Sequence, residues 1–448
     1  MFYRKLYSYL LYWKGKADRK PLIIRGARQV GKSTLVQGFA KEFRYFISLN
    51  LEKVSDRKTF DNLDEPKDII DAIFLNAGIP FTKEPTLIFF DEIQESPKAI
   101  SQLRYLHEDY PQLFIIAAGS LFEFALKKVV AFPVGRVEQV LLHPFDFDEF
   151  LMALGRQDVL KELEKVPADK YAHDTLLELF NDYAIIGGMP EAVSRYVKEK
   201  SLINLGEIYA NLWQSYRDDA GKYGSNATER KILRHILDTA HTEKDRITLE
   251  GFGNSNYRSR EVGEAIRAID MARIIQLIYP TTNLEPPATP DIRRKPRLQF
   301  LDTGLLNYSI GNQAEMIGIH DLNNFGRGKI IQHLTMQQLQ AQYNTPLYKP
   351  VFWVREKANS NAEVDLVHTE GKFLIPIEVK SGKQGTLRSL HQFIERCNHK
   401  FAVRLLANNF SVEKVKTPGG KPYLLMNMPY YASTKIPQYL KWFVENNK

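Results

Sequence analysis

Gly26-Ala27-Arg28-Gln29-Val30-Gly31-Lys32-Ser33 is a complete G-x-x-x-x-G-K-[ST] run, and its reading decides the fold of the N-terminal part of the chain. Such a loop holds a nucleoside triphosphate when a strand enters it and a helix leaves it. The turn's backbone N–H groups then converge on phosphate oxygens, and the helix N-terminus adds partial positive charge. Both flanks are present. Pro21-Leu22-Ile23-Ile24 is a short apolar run fit for a buried strand. After Ser33, Thr34-Leu35-Val36-Gln37-Gly38-Phe39-Ala40 places Leu35, Val36, Phe39 and Ala40 on one helix face. Gly26 and Gly31 permit the tight path without a Cβ. Lys32 is expected to reach the β- and γ-phosphates, and Ser33 to offer its hydroxyl to Mg²⁺. ATP and Mg²⁺ are the expected cofactors, with the cradle running from Gly26 through Thr34. Arg28 faces either phosphate or solvent.

Working outward, Thr86-Leu87-Ile88-Phe89-Phe90-Asp91-Glu92 is an unbroken apolar strand ending in two carboxylates. A continuous run of this kind fits a central parallel strand buried on both faces, and ligands of open α/β sheets collect at the strands' carboxyl ends. Asp91 suits magnesium, and Glu92 is the better candidate to polarise the attacking water. The bland reading, an acidic cap after an ordinary core strand, loses weight beside a full phosphate loop. A further strand, Leu113 to Ala118, ends at Gly119-Ser120. Ser120 stands at a γ-phosphate sensor position or caps the helix opening at Leu121, and the sequence leaves both open. Arg136, in Pro133-Val134-Gly135-Arg136, is a candidate arginine finger acting in trans; its plain alternative is a surface arginine. The trans role requires a homo-oligomer.

The chain has 448 residues, 44% of them hydrophobic, and a formal net charge of +8. That length argues for two or three domains, and the charge mildly favours an acidic partner such as nucleic acid. The single cysteine, Cys397, excludes an intrachain disulfide and a thiolate zinc site and fits a reducing cytoplasm. No apolar run approaches the roughly eighteen residues of a membrane helix. The N-terminal Met1–Leu10 stretch reads as an amphipathic helix packing on the first domain, not as a signal peptide.

The expected organisation is an α/β chain in four parts. Residues 1–155 form a P-loop parallel sheet, and 156–225 a helical, lid-like region. Residues 226–298 form a winged-helix-like unit built from Thr228–Thr239, the helix opening at Ser259 and a strand at Ile274–Tyr279. Residues 299–448 form a C-terminal α/β domain. A winged helix binds DNA through its second helix or serves as a protein-packing module. The Arg293-Arg294-Lys295-Pro296-Arg297 cluster touches phosphate or decorates a solvated loop. Near the C-terminus, Asp365 ends one strand and Glu378 and Lys380 share a face of the next, across a turn marked by Gly371. In this D…E-x-K pattern Asp365 and Glu378 can hold Mg²⁺ while Lys380 orients a water. The alternative is an alternating surface strand.

These motifs together resemble a known family. The GARQVGKS loop, the IFFDEIQ strand, the HPFDFDEF segment at His143–Phe150 and the GGMPEAV turn at Gly187 are similar to bacterial and archaeal AAA-type ATPases. Asp302-Thr303-Gly304-Leu305 and the AEVDLV…PIEVKSG pair resemble their C-terminal DUF4143-like domain, itself similar to PD-(D/E)xK nucleases. The resemblance spans nearly the whole chain. It implies a P-loop ATPase core, a winged-helix-like middle and a restriction-endonuclease-like end. One departure stands out: where the family carries a glutamate before the nuclease strands, this chain has Gln332, a poorer ligand for a hard cation. Two functions follow as expectations. One is an ATPase driving a DNA transaction; the other is a nucleotide switch acting on a protein partner, with the nuclease-like part only an interaction module.

Overall fold

A computed structural model describes residues 2–126, 132–133, 135–202, 204–224, 226–243, 245–311, 328–356, 361–380 and 387–447. The chain divides into two compact units. Unit 1 comprises 1–144 with two short returns, 271–273 and 343–347; unit 2 comprises the remainder.

Unit 1 is built on five strands: β1 (Leu22–Arg25), β2 (Tyr45–Asn50), β3 (Thr86–Asp91), β4 (Phe114–Gly119) and β5 (Glu138–Leu141). They pair in the order β2-β3-β4-β1-β5, and every pairing is parallel. A parallel sheet must be covered on both faces, and the apolar runs supply both. Ile23, Ile88, Phe90 and Ala117 pack with Ile69, Ile73, Ile100 and Leu103 in one buried cluster. Each such aliphatic or aromatic side chain contributes about 1.5–3 kcal/mol on burial. The N-terminal helix Lys5–Gly15 buries Leu6, Leu10 and Trp13, spaced four and three apart on one face. Trp13 packs edge-on against Phe114. The expected P-loop α/β sheet is therefore present. Its strand order sets β4 between the phosphate-loop strand and the acidic strand, so three loops meet at the carboxyl edge.

The two returns are integral to unit 1. Leu141 N donates to the Asn344 carbonyl (2.7 Å), and Arg273 donates to Pro346 O (3.2 Å). His143 Nε2 lies 3.2 Å from Tyr343 O. Burial pulls the His143 pKa down to about 4, so a neutral ring donates to that carbonyl.

In unit 2, β6 (Ile275–Ile278) and β8 (Arg297–Phe300) form an antiparallel pair. Helices Ala227–Thr239 and Ser259–Met271 precede it, and an isolated bridge joins Arg246 to Arg297. After β6, β7 (Pro280–Thr281) is buried and pairs in parallel with the strand Val351–Arg355. A seven-stranded sheet follows, from β7, β9 (Val351–Arg355), β10 (Ala362–Glu370), β11 (Phe373–Val379), β12 (Phe401–Leu406), β13 (Ser411–Lys416) and β14 (Pro422–Pro429). Its order is β13-β14-β12-β11-β10-β9-β7. The sheet is mixed: β9, β10 and β11 are antiparallel neighbours, and β12 runs parallel to β11.

Three of the segments that carry the family resemblance, at Asp146–Phe150, Gly187–Gly188 and Asp302–Leu305, make structural contacts. Asp302 is fully buried and caps the helix Thr303–Ile310 through Gly304 N (2.9 Å). It also accepts from Gly188 N (2.5 Å) and Gln337 Nε2 (3.2 Å). A Cβ on Gly187 would meet Asp302 Oδ1 at 2.2 Å, and one on Gly188 would meet Phe145 O at 2.0 Å. The paired glycines thus exist because a carboxylate and a carbonyl press on the turn. Asp146 and Glu149 form a reciprocal capping box on the helix Phe147–Ala153. Asp148 is tied to Thr434 (2.8 Å) and Lys435 (2.5 Å).

Candidate functional site

The phosphate loop leaves β1 at Gly26, whose φ is +153°. A Cβ there would lie 2.5 Å from the Leu142 carbonyl, so β5's end excludes any side chain. Gln29 (φ +65°) and Gly31 (φ +95°) complete the turn, and the helix Lys32–Phe39 begins directly after. Ala27 and Val30 are buried, Arg28 and Ser33 half-buried, and Gln29 and Thr34 exposed. Lys32 is 6% exposed, and its Nζ donates to Gly26 O (3.1 Å) and Ala27 O (2.9 Å). Burial pulls its pKa down to about 8, opposed by the charges of Glu92 and Asp91. Lys32 therefore sits within electrostatic reach of both carboxylates.

At the end of β3, burial raises the pKa of Asp91 above its ordinary value, opposed by the nearby Ser33 hydroxyl and the Lys32 charge, and its Oδ1 accepts from Glu92 N at 3.1 Å. Ser33 and Asp91 are the two expected magnesium ligands. Both are hard oxygen donors, which suits Mg²⁺. Glu92 follows in a left-handed backbone (φ +51°), and its Oε2 accepts from Gln94 Nε2 at 2.5 Å. Ser120, half-buried, stands directly after β4, between the two loops. The helix that follows spans Phe122–Leu126. Arg136 lies apart from this cluster in its contacts: its Nε pairs with Glu108 at 3.0 Å, with the side chain about 49% exposed.

Two buttresses had no mark in the sequence. Arg4, 5% exposed, donates to Val30 O (2.9 Å) inside the loop and to His143 O (2.5 Å). Arg25 leaves β1 one residue before the loop and binds Gln139 Oε1 (2.8 Å) and Glu123. Both are arginines that composition alone assigns to the surface.

The second constellation also assembles, in unit 2. Asp365 on β10 and Glu378 on β11 are drawn together by Val379 N, which donates to Asp365 Oδ2 (2.9 Å). Gln332 Nε2 donates to Asp365 Oδ1 (2.6 Å), so the residue in the family's glutamate position does reach this cluster, as a donor. Arg297 approaches the same oxygen at 3.5 Å. Lys380 Nζ binds Glu378 Oε1 (2.6 Å). Glu378 is 7% exposed, and burial, reinforced by the Asp365 charge, pushes its pKa up to about 7. Its Oε2 has no hydrogen-bond partner. Three of the four carboxylate oxygens are thus already engaged by donors. No group of three or more His, Cys, Asp or Glu side chains able to hold a metal occurs among the described residues. The neighbouring basic cluster is largely neutralised. Arg293 and Arg294 pair with Asp291 (both 3.1 Å), Arg294 also with Glu356, and Arg297 with Glu363.

Comparison with known proteins agrees with this geometry. Residues 18–151 match a family model described as an AAA domain. The N-terminal part is thus similar to AAA-type P-loop domains. Residues 177–316 match a domain of unknown function, DUF8612, and residues 327–420 a second, DUF4143. No curated protein matches the chain. Among solved structures, a Walker-type ATPase of Pyrococcus abyssi is 16% identical, with TM-score 0.45 over 69% of this chain and 96% of its own. PCH-2 of C. elegans is 16% identical, with TM-score 0.30 over 45% and 64%. The RuvB Holliday junction branch migration motor of Thermotoga maritima is 16% identical, with TM-score 0.28 over 61% and 89%. No helix among the described residues is long and apolar enough to cross a membrane.

Proposed function

We propose that this protein is a Mg²⁺-dependent ATPase whose hydrolysis drives a DNA transaction through the DUF4143 part of the chain. The observation that carries the ATPase reading is the strand–loop–helix itself: the backbone turns through Gly26 and Gly31, and the buried Lys32 opens the helix with its ammonium folded onto the loop carbonyls, on the same sheet edge as the carboxylates that end β3. The backbone N–H groups of Ala27 through Thr34 bind the β- and γ-phosphates. Lys32 gives up its loop carbonyls to them, and Ser33 and Asp91 hold the metal. Mg²⁺, when bound, neutralises charge developing on the transferred phosphoryl oxygens. Glu92 accepts a proton from water as the water oxygen bonds the γ-phosphorus. The bond from that phosphorus to the β–γ bridging oxygen breaks, and ADP leaves with the electron pair. Ser120, at the end of β4, reports the γ-phosphate, and Arg136 of a neighbouring copy supplies positive charge once released from Glu108.

The DNA reading rests on three supports: the +8 net charge, the helix–bridge–helix–hairpin order of residues 227–300, and the Asp365–Glu378–Lys380 cluster. The order is what the winged-helix reading needs, and the cluster supplies the residue types that the nuclease-like reading needs. One observation favours the other reading, an interaction module without nuclease chemistry. Gln332, Val379 and Lys380 occupy three of the carboxylate oxygens, leaving Glu378 Oε2 alone to offer a cation. The test is ATPase turnover with double-stranded, single-stranded and branched DNA at two salt concentrations. Stimulation that fades with salt supports the DNA reading; absence of DNA binding at low salt overturns it. Mg²⁺-dependent nicking lost in Asp365→Ala would establish catalysis at the second site.

A further inference from the structure

Continuing the β3–β4 register from Phe90↔Ala117 sets Glu92 level with Gly119. In the space between them lies a third side chain, Gln94. Its Nε2 holds Glu92 Oε2 at 2.5 Å. Its Oε1 is buried and carries no hydrogen bond. The amide fits there because residue 119 has no side chain: a Cβ on Gly119 would stand 2.4 Å from Gln94 Oε1. A half-satisfied buried amide is costly in a fold, and such groups concentrate where a ligand or water completes them.

We propose that Gln94 is the positioning residue for ATP hydrolysis. By donating to one oxygen of Glu92 it fixes that carboxylate, which is otherwise a flexible side chain on a left-handed residue, and leaves the second oxygen to face the water. Its own Oε1 offers an acceptor to the same water, so both of the water's protons are directed away from the γ-phosphorus. Gly119 is the specificity partner of this arrangement, admitting the amide to the end of β4. The inference rests on the reading of Glu92 as the residue that takes the water's proton.

The test is steady-state ATPase kinetics on the full chain, with nucleotide affinity measured separately by a fluorescent ATP analogue. Gln94→Ala is expected to lower kcat by about ten- to a hundredfold, the scale of lost supporting hydrogen bonds around a reactive group, with nucleotide affinity within about twofold of the parent. Gly119→Ala, which must displace the amide, is expected to show the same split. Gln94→Glu sets a like charge against Glu92 and should move the acid limb of the pH–rate profile to higher pH, which a purely structural role would leave in place. Gln94→Ala turning over at the parental kcat would overturn the proposal, as would a fall in kcat matched by an equal fall in nucleotide affinity. If Glu92→Gln also hydrolyses at the parental rate, the reading of Glu92 is the part that fails. If Glu92→Gln is inactive and Gln94→Ala is not, only the positioning role fails.

Discussion

Replacing Lys32 by methionine should stabilise the nucleotide-free protein while removing its response to ATP. The Lys32 ammonium is buried, and burial draws its pKa from 10.5 to about 8. At about 1.4 kcal/mol per unit, keeping it charged costs the fold about 3 kcal/mol. Its bonds to Gly26 O and Ala27 O return a net of about 1 kcal/mol each. Methionine, of similar length and apolar, should therefore leave the fold more stable by about 1 kcal/mol, a rise of a few degrees in Tm. The sign with pH is fixed by the depressed pKa. The cost is fully present below about pH 8 and disappears as pH rises toward 10.5, where the unfolded lysine also loses its proton. With saturating MgATP the order reverses. The parent gains about 2.7 kcal/mol at a hundredfold excess over Kd. The variant, lacking charge-assisted bonds to phosphate worth about 3 kcal/mol, loses roughly a hundredfold in affinity. Thermal melts at pH 7 with and without MgATP read both effects. A variant that melts below the parent without nucleotide, or that keeps the ATP-induced shift, would refute the reasoning.

Three further outcomes are expected in unit 2. Asp302→Ala strands Gly188 N and Gly304 N in the interior and leaves Gln337 Nε2 only the Tyr183 hydroxyl, and should cost about 3 kcal/mol or more by chemical denaturation, with no direct effect on nucleotide affinity. Asp148→Ala leaves the Lys435 ammonium buried without its 2.5 Å partner and should cost about 3–5 kcal/mol. Asp148→Leu combined with Lys435→Met should recover most of that loss. Glu378, raised to about 7, binds its proton more tightly folded than unfolded. Its contribution to stability is therefore present below about pH 4.5 and lost as pH rises through 7. A divalent cation needs the ionised form, so a Mn²⁺-induced melting shift should appear above pH 7, weaken about tenfold in affinity at pH 6, and vanish in Glu378→Gln. Equal shifts at pH 6 and 8 would contradict this assignment.

Much of unit 1 could be read directly from its residues. Apolar runs of four to six residues ending in Gly26, in Asp91-Glu92 and in Gly119-Ser120 admit few structures other than parallel strands with their loops at one edge. The phosphate loop was legible because its requirements are local: glycines where the backbone turns, a lysine and a hydroxyl just inside the helix. The buttresses were not, because Arg4 and Arg25 take their roles from partners far along the chain. Val30 and His143 accept from the first, Glu123 and Gln139 from the second. The returns 271–273 and 343–347 were equally hidden, since strand-edge pairing of Leu141 with Asn344 has no periodicity to betray it. Gln94 lay within the quoted acidic-strand motif, yet its role emerges only when β4 is placed beside β3. In unit 2 the sequence located Asp365, Glu378, Lys380 and Gln332 as one cluster. It did not show that Gln332 would be spent as a donor to Asp365.

The most direct test of the central claim is ATP turnover by the purified full chain with Mg²⁺, compared with Glu92→Gln. The account predicts measurable hydrolysis by the parent that disappears when Mg²⁺ is chelated. It also predicts a Glu92→Gln variant that binds ATP as tightly as the parent yet turns it over at least a hundredfold more slowly. A Glu92→Gln variant hydrolysing ATP at the parental rate, or a parent that binds MgATP without hydrolysing it in the presence or absence of DNA, would contradict it.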